Sequence, residues 1–273
     1  VVINNSGWIE STKNGSNAIS GDGADTVTLN NKSTGTFTGT IKSPNAIYIG
    51  AGSNWEIDNY GDIYGTAAKA INIRGGDKNK ITNRSGAKIR TDGENAILVW
   101  ESLDETDVVE TITIDNYGTI TAAYNTIKIG ATTTGATITN YSGGIIKATN
   151  ASNTAVKGAI RINADNVTVV NKGSLNGAGN TSSIRLKNNV SGTKIYVGET
   201  ASFTGEIHLG NNTSASNTTL YLECNISQDI TIEIIMKSSL NITNNLCGND
   251  TYAIQDSSGN ADADNSETNG YLV

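Results

Sequence analysis

Ile114-Asp115-Asn116-Tyr117-Gly118-Thr119-Ile120 holds the end of one strand, a tight corner and the start of the next. Apolar and polar residues alternate up to Asn116, Asn and Gly mark the turn, and alternation resumes at Ile120. The phrase recurs. Upstream it reads Ile57-Asp58-Asn59-Tyr60-Gly61 and Ile81-Thr82-Asn83-Arg84-Ser85-Gly86, with Ile3-Asn4-Asn5-Ser6-Gly7 and Leu29-Asn30-Asn31 before them. Downstream it reads Ile138-Thr139-Asn140-Tyr141-Ser142-Gly143 and Val169-Val170-Asn171-Lys172-Gly173. A further apolar point follows the glycine at Ile9, Ile63, Ile89, Ile120, Ile145 and Leu175.

A second phrase, Ile-x-Ile after a small residue, falls between these copies. It reads Ala46-Ile47-Tyr48-Ile49, Ala70-Ile71-Asn72-Ile73, Ala96-Ile97-Leu98-Val99 and Thr126-Ile127-Lys128-Ile129. Then come Ala159-Ile160-Arg161-Ile162, Ser183-Ile184-Arg185-Leu186 and Glu206-Ile207-His208-Leu209, with Ala18-Ile19 as an early copy and Ile230-Thr231-Ile232 as a late one. From Ile19 to Ile232 eight steps cover 213 residues, about 27 per step. Each repeat thus holds three short strands and no segment of helical period long enough to cross over. Parallel pairing without crossover helices requires a solenoid, each strand bonding its own copy one coil later. The predicted fold is all-β, a right-handed single-stranded parallel β-helix of about nine or ten coils. Its regular coils run to about residue 195 and altered coils over 196–255, with 256–273 a polar tail or cap. Stacked Ile and Val fill the axis. Asn5, Asn31, Asn59, Asn83, Asn116, Asn140 and Asn171 share one register position and are expected to form an amide ladder, with the nearby glycine supplying a positive φ.

Composition agrees with a thin rod. Asn is about an eighth of the chain, there is one Pro and one His, and hydrophobic residues are 36%. The mean hydropathy of −0.28 is lean for a globular core, whereas each coil buries only a narrow column. Net charge −7 leaves no basic surplus for nucleic acid. No apolar run reaches the roughly 20 residues of a membrane-spanning helix. The chain opens at Val1, inside a repeat, which reads as processing or truncation.

Candidate sites are few. The middle residue of each Ile-x-Ile phrase points outward, which lines up Lys128, Arg161, Arg185 and His208 as a stripe for an acidic glycan or a carboxylate-bearing surface. The insertion from Glu101 to Glu110 offers Asp104, Glu105 and Asp107 as weak Ca²⁺ candidates; a solvated acidic loop is the simpler reading. Cys224 and Cys247 lie 23 residues apart, close to one coil, and are a disulfide candidate. Tyr60, Tyr117 and Tyr141 at the corners read as packing rather than as a sugar-contact row. A single histidine excludes a catalytic His pair, and there is no adjacent Asp-Asp. Carboxylates stacked across coils, such as Glu56 and Asp58 with Asp115, are what remains for polysaccharide chemistry, so no enzymatic activity and no cofactor are expected.

Ile81-Thr82-Asn83, Ile114-Asp115-Asn116-Tyr117-Gly118-Thr119-Ile120 and Ile138-Thr139-Asn140-Tyr141 resemble the repeats of bacterial autotransporter (type V secretion) passenger domains. The resemblance covers about residues 1–195 and implies an extracellular adhesin or structural stalk on a Gram-negative surface. The two cysteines depart from that pattern, as does the lack of a C-terminal outer-membrane barrel in this sequence. The partners it implies are a glycan, a protein surface, or, if the rods join end to end into a filament or array, copies of the chain itself.

Overall fold

A computed structural model describes residues 1–23, 26–34, 37–50, 54–100, 109–150, 157–178, 182–209 and 218–223. Beyond these it describes the backbone of the strands at 232–235, 240–244, 254–255 and 269–272. The described residues contain strands and turns and no helix, and none of them forms a segment long and apolar enough to cross a membrane as a helix.

The strand at Val2–Asn5 starts a parallel sheet of ten rungs. The next rungs are Thr26–Asn31, Asn54–Asn59, Asn79–Asn83, Ile112–Asn116, Ala136–Asn140 and Val167–Asn171. Lys194–Val197, Thr218–Leu222 and Leu240–Asn244 complete it. Each rung pairs with the next in register, so Ile57, Ile81, Ile114, Ile138 and Val169 form one vertical file. The second and third strands of the coils pair the same way, which makes the molecule a parallel β-solenoid. At a rise of about 4.8 Å per rung, ten rungs give a rod on the order of 45 Å long.

The Ile-x-Ile phrases stack as expected. Ile47, Ile71, Ile97, Ile127, Ile160, Ile184 and Ile207 are successive Cα partners, and all are buried. Each such side chain contributes about 1.5–3 kcal/mol by leaving water, and period-2 alternation turns its neighbours outward. In two coils the second and third strands fuse into the long strands Thr40–Ile49 and Asp62–Ile73. The lone proline, Pro44, sits where the register between them shifts, from Ser43 to Asn45. A residue without an N–H cannot complete a ladder, so it is tolerated at an irregularity.

The amide ladder is continuous. Nδ2 of Asn5, Asn31, Asn59, Asn83, Asn116 and Asn140 each donates to Oδ1 of the next Asn, ending at Asn171, at 2.8–2.9 Å. From Asn31 onward each Asn is fully buried. In the Asn-x-Gly corners the same Oδ1 accepts the glycine N–H, as from Gly61 to Asn59 at 3.2 Å and from Gly118 to Asn116 at 3.3 Å. At Val197 an apolar residue takes the Asn position and the ladder ends.

Three expectations need correction. The role given to glycine is right only at Gly86 and Gly143, where the corner is longer and φ is +77° and +80°. At Gly118 and Gly173 the φ is ordinary and the constraint is space: a Cβ would lie 2.8 Å from Nδ2 of Asn83 and 2.7 Å from Nδ2 of Asn140. Ile145 does not point inward. It pairs with Thr119 and is 39% exposed, while Ile146 continues the file from Ile120. The late Ile-x-Ile copy is displaced, because Ile207 pairs with Ile234 and His208 with Ile235 rather than with Ile230 and Thr231.

Near the C-terminal end the pairing changes direction. Asn269–Leu272, within the stretch expected to be a tail or cap, pairs antiparallel with Ile232–Ile235 and with Ile254–Gln255.

Candidate functional site

The outward file of the third strands runs Tyr48, Asn72, Leu98, Lys128, Arg161, Arg185 and His208, each the Cα partner of the next. The four residues singled out from the sequence are therefore neighbours on consecutive coils, spaced by about one rung of 4.8 Å. All four side chains are half-buried.

Their electrostatics are those of a crowded positive row. Burial, followed by repulsion from Arg161, lowers the pKa of Arg185 against an opposing pull from Glu206. Burial and then Arg185 lower that of His208, which keeps its imidazole neutral near pH 7. Arg161 donates from Nε to Asn163 Oδ1 at 3.2 Å, which turns the guanidinium along the strand. Glu206 accepts a hydrogen bond from Ser182 Oγ at 3.0 Å.

Elsewhere on the described surface several acids and bases pair across coils. Arg84 forks onto Asp58 at 2.6 and 3.0 Å, and Arg90 onto Asp62 at 2.8–3.1 Å. The carboxylates raise the pKa of both guanidinium groups. Glu10 pairs with Lys42 at 3.1 Å. Asp58 and Asp115 both pair with Thr82, from opposite sides, so a threonine rung separates the two carboxylates. Tyr117 and Tyr141 stack with centroids 4.0 Å apart and planes within 8°. They turn one face of each ring onto the other, and the shared hydrogen bond helps push the Tyr141 hydroxyl up to about 12.

Asp104, Glu105 and Asp107 lie outside the described residues, as do Cys224 and Cys247. Among the described residues no three His, Cys, Asp or Glu side chains gather as a metal site. Sequence reading missed the Arg–Asp forks. The signal was present, because Asp58-Asn59-Tyr60 and Asp62-Ile63-Tyr64 each set an acid two residues before an aromatic, with an arginine about one coil later.

Fold and surface together define a repeat rod of the parallel β-solenoid class, with side-chain files displayed on its flanks. No protein-family model, no curated protein and no solved structure matches the chain.

Proposed function

We propose that this chain is an extracellular stalk, part of a cell-surface adhesin, which holds a cationic file for an acidic glycan or a carboxylate-rich protein surface. One observation carries the reading: a chain of net charge −7 sets Lys128, Arg161, Arg185 and His208 side by side on one flank. The resemblance of the phrases at Ile81–Asn83, Ile114–Ile120 and Ile138–Tyr141 to autotransporter passenger repeats supports the same setting. The mechanism is presentation. In-register coils make a stiff scaffold, and stiffness spares a ligand-binding row the entropy of ordering. On this reading the chain performs no turnover and needs no resident metal.

The test is retention of the purified chain on an immobilised uronate polysaccharide, with its neutral counterpart as control. The wild type is expected to be retained and to elute with added salt, as an exposed ionic contact requires. A Lys128→Ala, Arg161→Ala, Arg185→Ala triple variant is expected to elute at clearly lower salt. Equal retention of wild type and variant sinks the reading. Electron microscopy of the same sample addresses the alternative, since end-to-end fibres in place of single rods would make the chain a filament subunit.

A further inference from the structure

Three arginines on the regular coils stack against aromatic rings, and two of them are completed by an aspartate. Arg84 lies 5.4 Å from the ring of Tyr60 and forks onto Asp58. Arg90 pairs in register with Tyr64, lies 3.7 Å from its ring and forks onto Asp62. In both cases the acid stands two residues before the tyrosine, on the same outward face of the preceding coil.

Arg74 has the rings and lacks the acid. Its guanidinium is 4.3 Å from the ring of Trp100, on the next coil, and 5.8 Å from that of Tyr48, on the preceding one. Its backbone N–H bonds Ile49 O at 2.8 Å, which aligns it with Gly50. Where the other two arginines face Asp-x-Tyr, Arg74 faces Tyr48-Ile49-Gly50. Among the described residues no carboxylate forms an ion pair with it. The Asp22 carboxylate lies over Gly50, one coil further back, and makes no ion pair with Arg74.

Two polar atoms here are buried and without partners. Nε of Arg74 has no acceptor and Oδ1 of Asn72 has no donor, and Asn72 is only 8% exposed. Such orphans are rare in folded proteins and mark a place where a group is missing. Stacking engages the face of a guanidinium and leaves the N–H groups in its plane free for a planar, two-oxygen acceptor. Lys69, 6.0 Å from the ring of Trp100, adds a second cation.

We propose that Arg74, Trp100, Tyr48 and Asn72 form a subsite for the carboxylate of an acidic sugar residue. The ligand carboxylate takes the place that Asp58 and Asp62 fill at the other two arginines. An adjacent sugar hydroxyl donates to Oδ1 of Asn72, a bond that a simple carboxylate or a glutamate side chain has no hydroxyl to make. The aromatic rings flank the C–H surface of the pyranose. The site shares its flank with the basic file, because Tyr48, Asn72 and Leu98 lead in register to Lys128. It stands on its own residues and does not require that file to bind.

The experiment is calorimetric titration of the full chain with an oligogalacturonate and with its fully methyl-esterified form. Binding is expected for the acid and not for the ester. Arg74→Gln is expected to weaken the affinity about 10-fold or more, and Arg74→Lys nearly as much, because a point charge cannot fork. Asp22→Asn, a change at an exposed loop residue that keeps the fold, is expected to tighten binding by about 2-fold or more by removing a like charge. In a Lys128→Ala, Arg185→Ala background the loss caused by Arg74→Gln is expected to persist, which separates this site from the basic file. The proposal is overturned if acid and ester bind alike, if neither binds at millimolar concentration, or if a poly-glutamate peptide competes as well as the sugar. It is overturned equally by wild-type affinity in both a folded Arg74→Gln and Asp22→Asn.

Discussion

Asn59 donates from Nδ2 to Oδ1 of Asn83 at 2.9 Å, 24 residues further along the chain. The remaining capacity of that Nδ2 goes to Gly61 O and Lys88 O, on its own coil and the next. One side chain therefore ties two coils together and satisfies the corner between strands. Asn is the residue that does this, because one planar group offers an acceptor on one side and donors on the other.

Replacement of one rung tests the direction of the ladder. At Asn116, Nδ2 donates to Asn140 Oδ1, Gly118 O and Ile145 O. Asn116→Asp turns that donor into an acceptor facing three acceptors. The introduced carboxyl should have a folded pKa well above its unfolded one. Its penalty is smallest below the unfolded pKa and grows as pH rises through and beyond it. Urea denaturation should show the variant gaining stability relative to wild type between pH 7 and pH 4. Asn116→Ala should cost about 1–3 kcal/mol for each buried partner left without its bond, with no such pH trend.

The two kinds of corner glycine should separate by substitution. Gly118→Ala places a methyl group 2.8 Å from Asn83 Nδ2 and into the backbone of the preceding coil, where nothing can yield without breaking the ladder. Gly86→Ala meets open space and pays only for a left-handed φ, about 1–2 kcal/mol. Denaturation midpoints should therefore fall further for Gly118→Ala than for Gly86→Ala. The reverse order would mean that backbone strain, not clearance, fixes the Asn-x-Gly corner.

Core and surface can be told apart by a matched pair. Ile97 is fully buried in the third-strand file, and Ile145 looks outward. Ile97→Ala should cost about 2–5 kcal/mol, whereas Ile145→Thr should stay within about 0.5 kcal/mol of wild type. Thermal melts followed by circular dichroism would rank them.

What could be read from the sequence followed from register. The Asn positions and the Ile-x-Ile phrases recur at strand ends and centres, so their stacking needs no structural knowledge. Ile145 was misplaced because the corner Asn140-Tyr141-Ser142-Gly143-Gly144 is longer than Asn116-Tyr117-Gly118, which moves the inward position to Ile146. Ile41 was overlooked because Ser33–Thr34 and Phe37–Thr38, a small antiparallel pair, separate it from Asn31. The basic file was legible, since a period-2 rule suffices to point its side chains outward. The Arg74 cluster was not, because its identity rests on an acid that is missing from a neighbouring coil, and only coordinates show which residues are neighbours.

His208 gives a stability signature that a plain basic row would lack. Its pKa is lowered from an ordinary 6.5, first by burial and then by Arg185 on the preceding coil. Among the described residues, the charged groups near it in register are Arg185 before it, Arg161 one coil further back and Glu206 two residues before it in the chain, while Ile235 follows in register. The unfolded chain takes up a proton at the ordinary pKa and the folded chain resists until a lower pH. Stability from this residue is thus complete above pH 6.5 and falls as the pH drops below it. Urea midpoints measured from pH 8 to pH 5 should decline for the wild type, and His208→Gln should remove that part of the decline in the upper half of the range. An identical decline in both proteins would show that the imidazole is not held neutral by its place beside Arg185.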